Sequence, residues 1–137
     1  MKILFDTNII LDVLLDRPPF ATWALDLFQT VEQKRIQGVL GATTVTTIHY
    51  LATKALGSAK AHKAIQKLLS LFDVAPVNAA VLKEALELKF HDYEDAVLYA
   101  AAHHAKLNAI VTRDIKGFKQ ATLDIYSPKE LLVFLNH

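Results

Sequence analysis

The sequence predicts an α/β fold, a three-layer α/β/α sandwich around a central parallel sheet of about five strands. Two observations carry this. Short apolar runs alternate with longer amphipathic stretches along the whole chain, without repeats, low-complexity tracts or linkers. The first run, Ile3-Leu4-Phe5, is continuous rather than alternating, as expected of a strand covered on both faces in a parallel sheet. The 137 residues are read as one domain, 1–137, large enough to bury roughly two thirds of the unfolded surface.

Each element has its own signal. After the first strand, Ile9 to Leu15 forms a short apolar helix that ends before Pro18-Pro19, whose rings cannot continue it. A second helix is expected from about Thr22 to Gln37, burying Trp23, Leu27, Phe28 and Val31 and stopping at Gly38. Val39 to Ala42 reads as a second strand, and a threonine-rich helix runs from Thr44 to Leu56, punctuated by Gly57-Ser58. Ser58 caps the next helix, whose apolar stripe is Ala61, Ile65, Leu68, Leu69 and Phe72. Its Lys60, Lys63 and Lys67 read as a solvated outer face rather than an RNA-contacting stripe.

Val74 to Val77 is the third strand, and Pro76 suits it to an edge. Asn78 caps a helix burying Val81, Leu82, Ala85 and Leu86. Asp92-Tyr93-Glu94-Asp95 opens an alanine-rich helix running from Ala96 to about Leu107, followed by a strand at Ala109 to Thr112 and a loop from Arg113 to Phe118. A fifth strand lies near Ile125, and Ser127-Pro128 starts the last helix. Right-handed crossovers put the carboxyl ends of the strands on one side.

Composition excludes several function classes. There is no cysteine, so thiolate metal sites and disulfides are out of reach. Lys+Arg 15 against Asp+Glu 14 gives no global basic field, so any nucleic-acid role rests on a local site. No signal-peptide pattern opens the sequence, and no apolar run approaches the roughly 18 residues of a membrane helix, so a soluble cytoplasmic protein without membrane partners is expected. An apolar content of 53% is high for a small monomer, and a homodimer is expected to cover part of it. No Ser/His/Asp order, glycine-rich phosphate loop or Walker-type lysine is present.

The chemistry gathers on carboxylates. Ligands of parallel sheets bind outside the carboxyl ends of the strands, and Asp6 follows the first strand directly. Asp114 follows the fourth strand, and Asp92 and Asp95 stand in the first turn of the helix leading into it. Each acid alone has an ordinary reading: Asp92 and Asp95 as a capping-box-like pair, Asp114 as a turn residue. Asp6 is different, because a carboxylate behind a buried strand must be paired, hydrogen-bonded or bound to a cation. Clustered carboxylates without cysteine suit Mg²⁺ or Mn²⁺, ions that serve phosphoryl chemistry.

Phe5-Asp6-Thr7-Asn8, the segment Gly41 to Lys54, Asp92 to Val97, Val111-Thr112-Arg113-Asp114 with Phe118, and Ser127 to Leu132 together resemble the PIN domain, and more narrowly bacterial PIN proteins of the VapC-like toxin type. Each motif is short, but their ordered succession over essentially the whole chain is specific. The resemblance implies an α/β/α sandwich, a metal-dependent ribonuclease and, for toxin members, a cognate antitoxin. By position, Asp6, Asp95 and Asp114 match acidic metal ligands, Thr7 and Asn8 match polar residues that steady the first ligand, and Asp92 is an additional carboxylate.

Two positions depart from the pattern. In the best register Gly41, Thr44 and Thr47 stand where the family has Ser-x-x-Thr-x-x-Glu, so the usual glutamate is Thr47 and one bound ion is favoured over two. His49 lies about 200° around the helix from Thr47 and reads as a packed or partner-facing residue. Gly117 stands where relatives often carry an aspartate before the phenylalanine. His103-His104 suggest a metal or catalytic pair, but adjacent helix residues point about 100° apart and do not easily chelate one ion, so they read as surface or interface residues.

Three functional readings follow. The first is an endoribonuclease in which Asp6, Asp95 and Asp114 hold Mg²⁺ or Mn²⁺, and Arg113 or a nearby lysine holds the scissile phosphate. The second is a PIN scaffold weakened by Thr47 that acts by binding RNA or protein. The third is a phosphoaspartate protein with Asp6 as nucleophile in a haloacid-dehalogenase-like or receiver-like sheet. The dehalogenase version expects a second aspartate where Asn8 stands.

Overall fold

The computed structural model describes residues 1–118 and 121–136. Five strands, β1 (Lys2–Phe5), β2 (Gln37–Gly41), β3 (Asp73–Ala75), β4 (Ala109–Val111) and β5 (Asp124–Tyr126), form one parallel sheet in the order β3-β2-β1-β4-β5. Among the described residues seven α-helices accompany them, α1 (Thr7–Leu14), α2 (Ala21–Glu32), α3 (Ala42–Leu56), α4 (Ser58–Leu71), α5 (Ala79–Glu87), α6 (Tyr93–His104) and α7 (Pro128–Leu135), with a 3₁₀ turn at Ile115–Phe118.

The continuous apolar run of β1 is explained by its central place. Ile3 and Phe5 face a core shared with Ile9, Leu27, Ile48, Leu68 and Leu131, whereas Leu4 faces a second core with Val81, Ala85 and the alanines of α6. Both sheet faces are therefore covered, and the predicted three-layer sandwich is the observed one. Phe5, Phe28 and Phe72 meet edge to face with ring centroids 5.1 to 6.3 Å apart. The alanines of α6 let it lie close against its own side of the sheet. β3 is an edge strand, and Pro76, which has no N–H to donate, follows its last residue.

Several details differ from those expected of the sequence. First, α2 ends at Glu32 rather than Gln37. Lys34 adopts a left-handed conformation (φ 60°), its N–H reaching Val31 O and that of Arg35 reaching Thr30 O, which closes the helix in a Schellman motif. Gly38 is not a helix stop but a strand residue: a Cβ there would lie 2.6 Å from the Phe72 ring. Second, α6 ends three residues early, at His104, by the same motif with Lys106 (φ 58°) at its turn.

Third, Trp23 is 37% exposed. Fourth, α5 buries only Val81 and Ala85, while Leu82 and Leu86, about 100° further round, are exposed, Leu86 to 73%. In α4 Ala61 and Leu68 are buried and Lys60, Lys63 and Lys67 solvated as expected, but Leu69 is exposed, and Ser58 is the first helical residue after Gly57 and makes no side-chain capping bond.

The strand order reverses between β1 and β4, which makes the crevice at their carboxyl ends the switch point where parallel sheets bind ligands. Phe5 pairs with Val111, so Asp6 and Thr112 emerge side by side.

Candidate metal centre

Asp6 is 6% exposed, and its environment is fully built. It caps α1, with Oδ1 accepting from the Thr7 N–H at 2.7 Å. Oδ2 accepts from the Thr112 hydroxyl at 2.7 Å and from Asn8 Nδ2 at 3.3 Å. A carboxylate has about four lone-pair sites, so three bonds leave room for a cation. Thr112, fully buried, also accepts from the Asp114 N–H at 2.9 Å and so joins the first and last acids of the cluster. Within Val111-Thr112-Arg113-Asp114 nothing local in the sequence marks Thr112 for this bridging role.

Asn8 steadies the site from the other side: its Oδ1 accepts from the Arg113 N–H at 3.3 Å. The Thr7 hydroxyl instead meets that of buried Thr44 at 3.3 Å, tying α1 to α3. Thr47 stands one turn after Thr44, half-buried, and His49 is exposed. Asp92 caps α6 through the Glu94 N–H at 2.8 Å, while Asp95 turns its carboxylate toward Asp114 instead of back to the cap.

Gly117 explains how those two acids approach. A Cβ added there would fall 2.7 Å from Asp95 Oδ2 and 2.7 Å from Asp114 Oδ2. The missing side chain thus opens the space into which both carboxylates turn. Gly117→Ala is expected to change stability by less than about 1 kcal/mol, because only flexible side-chain ends must yield. It should weaken Mn²⁺ binding at least tenfold, read by calorimetry beside a melting curve, and unchanged affinity would contradict this role.

Burial and mutual repulsion raise the acids' proton affinity. Burial chiefly, then the Asp114 and Asp92 charges, pushes the Asp6 carboxyl up despite its hydrogen bonds. Asp95 is pushed up to about 7, first by burial and then by Asp6, Asp92, Asp114 and Glu94. Glu94 is raised by burial, Asp92 and Asp6. Such strain is what a divalent ion would relieve, and the donor set, all oxygen, fits a hard cation. A cleft of about 670 Å³ opens onto Asp92, Asp95 and Asp114 and carries Lys89, His91 and Lys116 on its walls.

Arg113 does not serve as the free cation the sequence suggested. Its Nε and Nη2 donate to Asp12 Oδ2 and Oδ1 at 2.8 and 3.2 Å, and its guanidinium lies 3.8 Å over the Phe20 ring. Arg17 Nε donates to the same Asp12 at 2.9 Å. Asp12 is wholly buried and binds two guanidiniums, which fixes the backbone between Thr112 and Asp114. Nothing local in the sequence marks this residue.

A family model described as PIN domain matches residues 2–116. The chain belongs to the PIN-domain family. No curated protein gives a significant sequence match. Among solved structures, this PIN domain is similar to VapBC2 from Rickettsia felis bound to a DNA fragment from its promoter, at 18% identity, TM-score 0.71, covering 93% of this chain and 98% of that one. It also resembles a toxin-antitoxin complex from Klebsiella pneumoniae (23% identity, TM-score 0.69, 91% and 96% covered). A third is VapC20 of Mycobacterium tuberculosis, described as a Sarcin-Ricin loop cleaving toxin (15%, TM-score 0.64, 79% and 86%). At these identities the likeness is one of fold.

Proposed function

We propose that this PIN domain is a Mg²⁺- or Mn²⁺-dependent endoribonuclease and the toxin of a toxin–antitoxin pair. The observation that carries the reading is that Asp6 stands at the β1/β4 switch point, joined to Asp114 through Thr112, while Asp114 and Asp95 turn into one lysine-flanked cleft. The solved relatives described as toxins support the biological half of the proposal.

Asp6, Asp95 and Asp114 would hold the ion, with Asp92 as an additional carboxylate at the rim. When bound, an ion of this class lowers the pKa of water and offsets charge gathering at phosphorus. Asn8, the Thr7 N–H and Thr112 hold Asp6 in one orientation before any ligand arrives. Lys89 and Lys116 are placed to hold backbone phosphates of RNA across the cleft. Thr47, lacking a carboxylate, favours one ion.

Incubating the protein with RNA and Mn²⁺ is expected to yield cleavage that excess chelator stops and that Asp6→Asn lowers on the order of 10³-fold, with the fold retained. Cleavage persisting in chelator would refute the proposal. RNA binding without cleavage under any divalent ion would establish the scaffold reading that Thr47 motivates. Phosphoaspartate chemistry of the dehalogenase kind is disfavoured, because Asn8 stands where it needs a second aspartate.

A cognate antitoxin and a second copy of the chain remain part of the proposal. Exposed Leu82 and Leu86 give α5 an apolar surface for either. No helix among the described residues is long and apolar enough to cross a membrane, and cytoplasmic residence is proposed with the toxin role.

A further inference from the structure

Among the described residues, the tightest grouping of metal-ligating side chains lies away from the strand-end acids. Glu84 of α5 faces His103 and His104 at the end of α6, and one ligating atom from each of the three falls within 4.8 Å of the other two. Glu84 Oε1 stands 3.3 Å from His103 Nδ1 and Oε2 stands 3.1 Å from His104 Nε2. Adjacent helix positions diverge, but His103 presents its near nitrogen and His104 its far one, and the difference in reach brings both rings to one carboxylate. In tetrahedral coordination with bonds of about 2.0–2.1 Å, ligand atoms sit about 3.3 Å apart. Each imidazole nitrogen stands at about that distance from one of the two Glu84 oxygens, and one ligating atom from each residue lies within 4.8 Å of the others, so small side-chain rotations bring the three onto one ion.

Two further observations point to a cation. Glu84 Oε2 is buried and accepts no hydrogen bond, although His104 Nε2 is near enough, so the nitrogen approaches without aiming an N–H at it. His103 is held in place by stacking on Tyr99, with rings 6.2 Å apart and 2° from parallel, and the Tyr99 hydroxyl is tied to that of Thr122 at 2.7 Å. The carboxyl-terminal end of α6 also favours positive charge.

We propose that Glu84, His103 and His104 form a second metal site, for a zinc-class divalent ion, that ties α5 to α6. Two imidazoles and a carboxylate suit Zn²⁺, Co²⁺, Ni²⁺ or Cu²⁺, whereas Mg²⁺ prefers all-oxygen donors. The rings are 58% and 39% exposed, which leaves a coordination position open to water. From Asp95 to His103 is eight residues along α6, about 12 Å at 1.5 Å per residue, so the two sites act separately.

Zn²⁺ titration of the full chain by calorimetry, with Co²⁺ as the spectroscopic probe, tests this in the native protein, Glu84→Gln, His104→Ala and Asp6→Asn. The native protein and Asp6→Asn are expected to bind Zn²⁺, to give tetrahedral Co²⁺ bands and to melt at higher temperature with the ion. Glu84→Gln and His104→Ala should lose at least tenfold in affinity while melting normally without it. In histidine NMR spectra the ring signals of His103 and His104 should move, and those of His49 and His62 should not. Equal binding in all four proteins, loss in Asp6→Asn alone, or no binding because the cluster is only a protonated ion pair would each overturn the proposal.

Discussion

Asp95→Asn is expected to stabilise the metal-free protein at pH 8 and at the same time to abolish cleavage. The Asp95 carboxyl is pushed up to about 7, so the folded chain holds its proton more tightly than the unfolded chain, whose carboxyl titrates near 3.8. Stability from this preference is complete below about 4 and is lost as pH rises through about 7. Above that pH the folded state confines several like charges near Asp6 and Asp114. Removing one charge relieves them, and the melting temperature of Asp95→Asn should exceed that of the native protein at pH 8 and match it near pH 4. Adding Mn²⁺ should reverse the order by stabilising only the native protein. Because the ion displaces the Asp95 proton, its affinity should fall about tenfold per unit below pH 7. A melting temperature for the metal-free native protein that is flat from pH 4 to 8 would contradict this.

Asp12→Asn is expected to be among the most destabilising single changes in the chain. The buried carboxylate accepts from two guanidiniums, one of them 101 residues away in sequence. Hydrogen bonds to charged groups contribute about 1.5–3 kcal/mol each, and breaking a buried pair costs about 3–5 kcal/mol. Both guanidiniums keep some contact with water, so the lower figure applies. A loss of about 3 kcal/mol corresponds to a melting temperature lower by roughly 10 °C for a domain of this size. Denaturant unfolding measures it directly, and a loss below about 1 kcal/mol would mean that the arginines are solvated without Asp12.

The fold was legible because its strongest signals are local. Ile3-Leu4-Phe5 announced a strand covered on both faces, Pro76 an edge, and the alanines after Asp95 a helix packed close to the sheet. The places of Asp6, Asp95 and Asp114 in the fold follow from strand ends and a helix start. What escaped was non-local. Asp12 looks like any polar residue on a short helix until Arg113 arrives from the far end of the chain. Gly38 looked like a helix stop, whereas its role depends on Phe72. Gly117 read as a missing acid, yet its lack of a side chain is what admits Asp95 and Asp114. Periodicity told which side of α5 is apolar but not how narrow its buried stripe is, hence the exposed Leu82 and Leu86. For His103 and His104 it gave the angle between the side chains, not which ring nitrogen each presents.

The central claim is that Asp6, Asp95 and Asp114 together hold a hard divalent ion on which RNA hydrolysis depends. Its most direct test is Mn²⁺ binding at pH 8, followed by electron paramagnetic resonance in the native protein, Asp95→Asn and Asp114→Asn. A single bound Mn²⁺ is expected in the native protein, with at least tenfold weaker binding in both variants. No binding to the native protein, or equal binding in all three, would contradict it.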